Sequence, residues 1–415
     1  MIKNRITENI TNPGILEQLY RSNPAAFTRA FHEVYPEIQS EVSAQIWYER
    51  LKNEPTEITW GVSKDWIFVG IVALFVGLLM QLPDLISISH DFYYPRNMAF
   101  IAMPGLAAFF AYKQGLAWKD LMIPFGILVI AVLFINYLPH IPGSDTLLLS
   151  CIHLPILMWL LVGYIYGGAQ FSKTEKRIDF LRFHGDLLVM SAVILLAGGL
   201  FTAFTLNLFN LIDIKIEDLY FRYWVLSALP SVPLLATMLI QQNPTLVSKI
   251  SPVIARIFTP LVTLMLLIFL GAFIYTGKDP YNDREFLLVF NGVLIGVMAL
   301  LLFSVSEATK ETGSRFHRMS LAVLAFLAII NNGIALSAIA FRLFELGLTP
   351  NRLVVLGGNV LILLNLIFVT RQLLGLMKGQ KNLRDVEASM TRFLPYYALW
   401  AAIVSFIFPL IFSFQ

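Results

Sequence analysis

The sequence predicts an all-α, polytopic membrane protein of about eleven transmembrane helices, preceded by a small N-terminal cytoplasmic helical module. Three observations predict it. Apolar residues reach 57% of the 415 positions and charged residues only 14%, against roughly 45–50% and about 25% in soluble domains. From Trp66 onward, long apolar runs alternate with short polar loops. Lysine and arginine collect in every second loop. So few charges cannot cover a soluble surface of this size, which excludes a cytosolic enzyme and a secreted disulfide scaffold. Cys151 is the single cysteine and has no intrachain partner. A net charge of +3 is too small to imply a nucleic-acid partner.

Residues 1–65 are polar, with nine acidic and seven basic groups, and lack the basic start, apolar core and cleavage site of a secretory signal. Asn12-Pro13 and Asn23-Pro24 each place a capping residue before a proline that suits a first helical position. Apolar residues then recur at helical spacing: Ile15, Leu16 and Leu19; Phe27, Phe31 and Val34; Ile38, Val42 and Ile46, followed by Trp47 and Leu51. A three-helix module is expected, either a solvated tether or a docking surface for a cytoplasmic protein partner.

Residues 66–415 form the membrane domain. Crossing about 30 Å of hydrocarbon takes about 20 residues of helix, and eleven runs reach or approach that length. They are Trp66 to Leu82, Met98 to Tyr112, Leu121 to Leu138, Leu147 to Gly168, Leu187 to Ile212, Tyr223 to Gln241, Thr259 to Gly277, Phe286 to Ser306, Leu321 to Phe341, Leu353 to Leu374 and Leu394 to Phe414. The second is the shortest and contains Pro104-Gly105. Lipid offers no partner to open backbone groups, so all are helices. With a cytoplasmic N-terminus, 23 of the 30 lysines and arginines fall on inside segments. Without the N-terminal module the split is still 16 to 7, in the direction that basic loops take in membranes. The expected location is therefore an inner (plasma) membrane, with the C-terminus extracytoplasmic and the lipid bilayer as the first partner.

Candidate chemistry is sparse. No charged residue lies near the middle of any run, whereas proton pumps commonly keep one there. Pro104-Gly105, Pro155, Pro230 with Pro233, Asn331-Asn332-Gly333 and Gly357-Gly358 interrupt runs, and broken helices can bind solutes. Placed by depth, His153, Asn207, Asn291 and Asn359 fall in the outer half of their runs, and Asn331 and Asn332 near mid-membrane. A ligand-binding pocket of His153, Asn207, Asn291, Asn332 and Asn359 is expected, rimmed by Asp283, Arg284, Arg342, Glu345 and Arg352. The competing reading is that these amides only join helices. An ion pair of Glu345 with Arg342 or Arg352 is expected to fix its loop, with Gly347 at φ > 0 and Asn351 as a turn or cap residue. Gly163-x-x-x-Gly167 and Gly292-x-x-x-Gly296 match a helix-packing spacing, and Thr245 to Phe258 reads as an interfacial amphipathic helix.

The six histidines show no metal-ligand spacing. His90, Asp91, His140 and Asp145 share a face but come from different loops. No zincin, serine-hydrolase, dinucleotide or P-loop pattern occurs, and acid and base candidates are expected in loops rather than in a cleft. No enzyme activity, metal or cofactor is therefore called.

Ser251-Pro252-Val253-Ile254-Ala255-Arg256-Ile257-Phe258-Thr259-Pro260, Gly277-Lys278-Asp279-Pro280 leading into Asp283-Arg284 and on to Asn291, and Gly347-Leu348-Thr349-Pro350-Asn351-Arg352 form a pattern. It resembles a family of bacterial multi-pass membrane proteins, domain of unknown function 4153. The resemblance covers roughly residues 183–415. It implies a bacterial inner-membrane protein and supplies no activity. The functional expectation is a permease-like protein binding or moving a small polar or amphiphilic solute, with a membrane sensor, scaffold or assembly subunit as the alternative.

Overall fold

The computed structural model describes residues 2–22, 24–53, 63–168, 170–243, 250–277, 279–308 and 315–414. The chain divides into two compact units, Met1–Gly61 and Val62–Gln415. Within the first, four helices are described where three are expected: α1 (Ile2–Glu8), α2 (Pro13–Ser22), α3 (Pro24–Ile38) and α4 (Val42–Asn53). Both Asn-Pro pairs start helices, and Asn12 Oδ1 accepts the Ile15 N–H at 3.4 Å. The additional helix α1 is short, and it is held by tertiary burial of Ile6 rather than by length. Ile6, Leu16, Phe27, Phe31, Trp47 and Leu51 form the core. Ala44, Trp47 and Leu51 define the inward face of α4, which turns Val42 (69%) and Ile46 (63%) outward, against expectation.

The second unit is all α-helix among the described residues. Its helices are α5 (Ser63–Leu85), α6 (His90–Gln114), α7 (Trp118–Tyr137), α8 (Asp145–Tyr166), α9 (Thr174–Asn210), α10 (Glu217–Gln242), α11 (Ile250–Thr276), α12 (Arg284–Ala308), α13 (Arg315–Leu346), α14 (Pro350–Met377), α15 (Leu383–Thr391) and α16 (394–411). Among the described residues ten helical segments are long and apolar enough to cross a membrane, with α15 and α16 counted as one. The eleventh expected run lies in α6, whose His90, Asp91, Arg96, Asn97 and Lys113 dilute its apolarity. It nonetheless covers the same thickness as α7. Its C-terminal end joins the start of α7 through residues 115–117, and Arg96 near its beginning reaches the carbonyls of Ile135 and Leu138 at the far end.

Most expected interruptions do not break their helices. Pro104-Gly105, Pro155, Asn331-Asn332-Gly333 and Gly357-Gly358 lie inside continuous α6, α8, α13 and α14. Gly357 is instead a packing notch, because a Cβ there would come within 2.1 Å of the Trp400 ring. Pro230 and Pro233 do mark irregularity: α10 contains a π-turn at Tyr220–Val225 and a 3₁₀ turn at Leu229–Ser231. A second π-turn, unforeseen, occupies Ile403–Ile407 of α16. Wide turns misalign backbone partners, and each is met by a neighbour. Gln81 donates to the Arg222 carbonyl at 2.8 Å, and Ser150 to the Ser405 carbonyl at 2.9 Å.

Two further expectations change. The amphipathic helix of Thr245 to Phe258 lies partly outside the described residues, and from Ile250 onward it is the first part of the long, unbroken α11. Gly292 and Gly296 face no neighbour within 4 Å, while Gly163 meets the rings of Phe171 and Phe180 rather than a second backbone. Gly167 lies against the Phe171 backbone in the turn that follows its own helix, so neither glycine pair brings the backbones of two helices together.

Candidate functional site: a buried asparagine ladder

Helices α12 and α14 each pack along α13, with Val297, Leu301, Leu324, Leu327, Leu366 and Val369 in the shared core. Gly347 at φ 79° turns the chain between α13 and α14. Thr349, not Asn351, caps α14 by accepting the Arg352 N–H at 3.4 Å, with Pro350 in the first turn. Counted from the helix ends at this mouth, Asn291 lies about 10 Å deep, Asn359 about 14 Å and Asn332 about 21 Å.

Asn359 Nδ2 donates to Asn291 Oδ1 at 2.6 Å, and Asn291 Nδ2 to the Leu287 carbonyl at 2.7 Å. The pair therefore ties α12 to α14. Ala335 packs against Phe290 and Leu294 at the same level, so Asn332 sits about one turn deeper on α13. Asn331 returns its Nδ2 to the Leu327 carbonyl at 2.9 Å. Asn332 is 0% exposed, and neither Nδ2 nor Oδ1 meets a hydrogen-bond partner among the described residues. Its flanking residues on the same helical face, Ala328 and Ala335, are buried and too short and apolar to help. An unmet buried polar group costs about 1–3 kcal/mol, so this amide is a demand for a polar molecule.

Two expected members stand apart. Asn207 is exposed on α9 and returns its Nδ2 to the Ala203 carbonyl at 2.7 Å. His153 donates from Nδ1 to the Leu149 carbonyl at 2.8 Å on α8. Both satisfy themselves along their own helices, so neither is tied into the ladder by a hydrogen bond.

The rim also differs from expectation. No ion pair joins Glu345 to Arg342 or Arg352 among the described residues. Arg352 instead donates to the carbonyls of Leu346 at 2.8 Å and Gly347 at 2.5 Å, groups that the end of α13 leaves unmatched. Glu345 is exposed, and Arg342 is half-buried with Nη1 unmatched. Asp283 is half-buried, and the Arg284 side chain lies outside the described residues. Tyr281, missed in the sequence, supplies the contact that closes the loop over α13: its hydroxyl lies 3.4 Å from Ser337 Oγ and its ring meets Phe341 edge-on. Asn282 and the Tyr281 N–H donate to the Asp279 carboxylate, which holds its pKa below the usual carboxylate value.

Acid and base groups are not confined to exposed loops, contrary to expectation. Asp186, Glu307, His317 and Glu387 are all buried, Glu307 and His317 at the ends of α12 and α13 away from the mouth, Asp186 in the first half of α9 and Glu387 in the middle of α15. Arg182 binds the Ser306 carbonyl at 2.9 Å and Glu387 at 3.3 Å, and Ser251 donates to Asp186 at 2.5 Å. Packing joins Arg182, Ser306 and Glu387 in one place and Asp186 with Ser251 in another. These contacts are structural ties between helices. Similarly, His90 pairs with Asp84 at 3.0 Å, while His140 packs against Phe92.

No protein-family model, curated protein or solved structure matches this chain. The chemistry of the ladder stands by itself: neutral amides, Asn332 and Asn359 buried and Asn291 half-buried, with one amide unmet among the described residues.

Proposed function

We propose that this integral membrane protein is permease-like and binds a small, uncharged, hydrogen-bonding solute at Asn332, entering past Asn291 and Asn359. The observation that carries the reading is the wholly buried and unmatched Asn332 amide. A neutral amide can serve both a donor and an acceptor on the same solute, and among the described residues no charged side chain is bonded to it. Amphiphilic solutes fit less well, since the ladder's only distinctive chemistry is amide hydrogen bonding. The reading includes an N-in, C-out arrangement in an inner membrane, supported by the lysine and arginine asymmetry of the loops. No catalytic role is assigned.

Proteoliposomes test it. Uptake of a panel of uncharged polyols, amides and sugars is compared between wild type, Asn332→Leu and Asn291→Leu. At least one member of the panel is expected to enter about tenfold more slowly through Asn332→Leu. Wild-type vesicles no more permeable than protein-free ones across the panel would sink the reading.

The scaffold alternative is favoured by one observation, the outward-facing Val42 and Ile46 one turn apart on α4. A cytoplasmic partner captured by the full chain and lost in Val42→Glu/Ile46→Glu would support it.

A further inference from the structure

A second site, independent of the ladder, lies between α6, α7 and α8. Their shared cavity has a volume of about 260 Å³ and includes Met103, Ala107, Leu121, Leu128, Met158 and Ile165 in its wall. None of its lining side chains is charged, and the only polar hydrogen belongs to the Trp118 indole. The shape follows from how α6 and α7 are joined. At one end they are clasped: Asn97 and Asn136 exchange two amide hydrogen bonds of 2.9 Å, and Arg96 donates to the Ile135 and Leu138 carbonyls. At the other they are joined through residues 115–117, and the slot lies toward that loop, with Ala111, Trp118 and Leu121 in its wall.

Depth identifies the occupant. Along α7 the slot runs from Trp118 to Leu128, about 15 Å of helix, which is half of a hydrocarbon layer about 30 Å thick. Water gains no hydrogen bonds in such a wall, and an unfilled wall forfeits its dispersion contacts. One acyl chain lying in a single leaflet fits both the length and the chemistry. The helix ends that frame the mouth carry Lys113, Lys119 and Lys173 against Asp65 and Asp120. Lys113 is neutralised by Asp65 at 2.5 Å, while Lys119 is exposed in the first turn of α7. Ala117 gives that turn no side-chain cap, and its carbonyl takes the Asp120 N–H at 2.9 Å, so the N–H groups of Trp118 and Lys119 with the Lys119 ammonium favour an anion. Asp120 lies about 200° around the helix from Trp118, away from the slot.

We propose that this slot holds one acyl chain of an anionic phospholipid, with its phosphate at Lys119 and the start of α7. The full chain, purified in mild detergent, is equilibrated with equal amounts of phosphatidylglycerol and phosphatidylcholine and weighed intact by native mass spectrometry. One phosphatidylglycerol per chain is expected, with about tenfold preference over phosphatidylcholine. Ala108→Phe, which fills the slot from an exposed position of its wall, is expected to abolish retention. Lys119→Glu is expected to keep one lipid but lose the preference. In the unfilled slot, phosphatidylglycerol with a brominated acyl chain is expected to quench Trp118, read as the difference from Trp118→Phe. That measurement decides the matter should Ala108→Phe fail to fold. Retention of no lipid, equal retention of both lipids by wild type, unchanged retention in a folded Ala108→Phe, or no Trp118 quenching would each overturn the assignment.

Discussion

Helices α6 and α7 and helices α12 to α14 both carry asparagines into the membrane layer, and they use them in opposite ways. Between α6 and α7 every amide is returned: Asn97 and Asn136 exchange two bonds, and Arg96 meets two carbonyls while its guanidinium lies 4.1 Å above the Phe92 ring. The slot farther along the same helices is lined by apolar side chains apart from the Trp118 indole. Between α12 and α14 a single bond joins Asn291 to Asn359, and Asn332 below it meets no hydrogen-bond partner among the described residues. In hydrocarbon a matched amide is a fastener and an unmatched one is an unfilled requirement. What separates the two is the partner, not the residue type.

The sharpest way to break the comparison is to remove the clasp. Arg96 is 2% exposed, and the Ile135 carbonyl it meets belongs to the last turn of α7, where no backbone donor follows. Arg96→Met should destabilise the protein by about 3 kcal/mol, because bonds from a charged donor are lost and their acceptors stay buried. Unfolding in mild detergent measures it. An unchanged midpoint would mean that α6 and α7 need no fastener. Next in size is Gly357→Ala, which sets a Cβ within 2.1 Å of the Trp400 ring beside the ladder. Overpacking of this kind costs about 2 kcal/mol, and Trp400→Leu in the same chain should recover much of it.

Asn332→Leu should carry the opposite sign. Replacing an unmet buried amide by an apolar side chain of similar shape removes a desolvation penalty, so the solute-free protein should be stabilised by about 1 kcal/mol. Uptake falls in the same variant. A stabilised but inactive Asn332→Leu separates a binding residue from a helix fastener, since loss of a fastener lowers both. A destabilised Asn332→Leu would mean that the amide is matched in the folded protein and would make α13 resemble α7.

The extent to which all this is legible in the sequence follows from what each signal measures. Hydropathy reports environment averaged over about 20 residues, and it therefore finds the long helices. It underrates α6, whose Arg96 and Asn97 are buried by partners far along the chain. Prolines and glycines report local backbone preference, yet Pro104, Pro155 and Gly357 sit in unbroken helices. Both π-turns are instead accompanied by side chains from other helices, Gln81 and Ser150. Depth counting finds Asn291, Asn332 and Asn359, because position along a helix is a linear quantity. It cannot tell them from His153 and Asn207, since rotation about the helix and the identity of the neighbour are settled by packing. The same limit hides the joining of Arg182, Ser306 and Glu387, which lie on three different helices.

The finest test measures the two amide pairs against each other. A double-mutant cycle on Asn97→Leu and Asn136→Leu isolates their mutual term from the cost of each substitution. Interhelical bonds in membranes average about 0.6 kcal/mol and reach about 1.7. The reciprocal pair makes two bonds and should lie toward the upper figure. The cycle on Asn291→Leu and Asn359→Leu should lie near the lower one, because a single bond of 2.6 Å joins those side chains. Repeating both cycles with a transported solute sharpens the contrast further. The Asn97–Asn136 coupling should not move, since its four donors and acceptors are committed. The Asn291–Asn359 coupling should change, because a solute passing to Asn332 competes for the same amides. Couplings that respond equally in both pairs would show that the ladder is one more clasp.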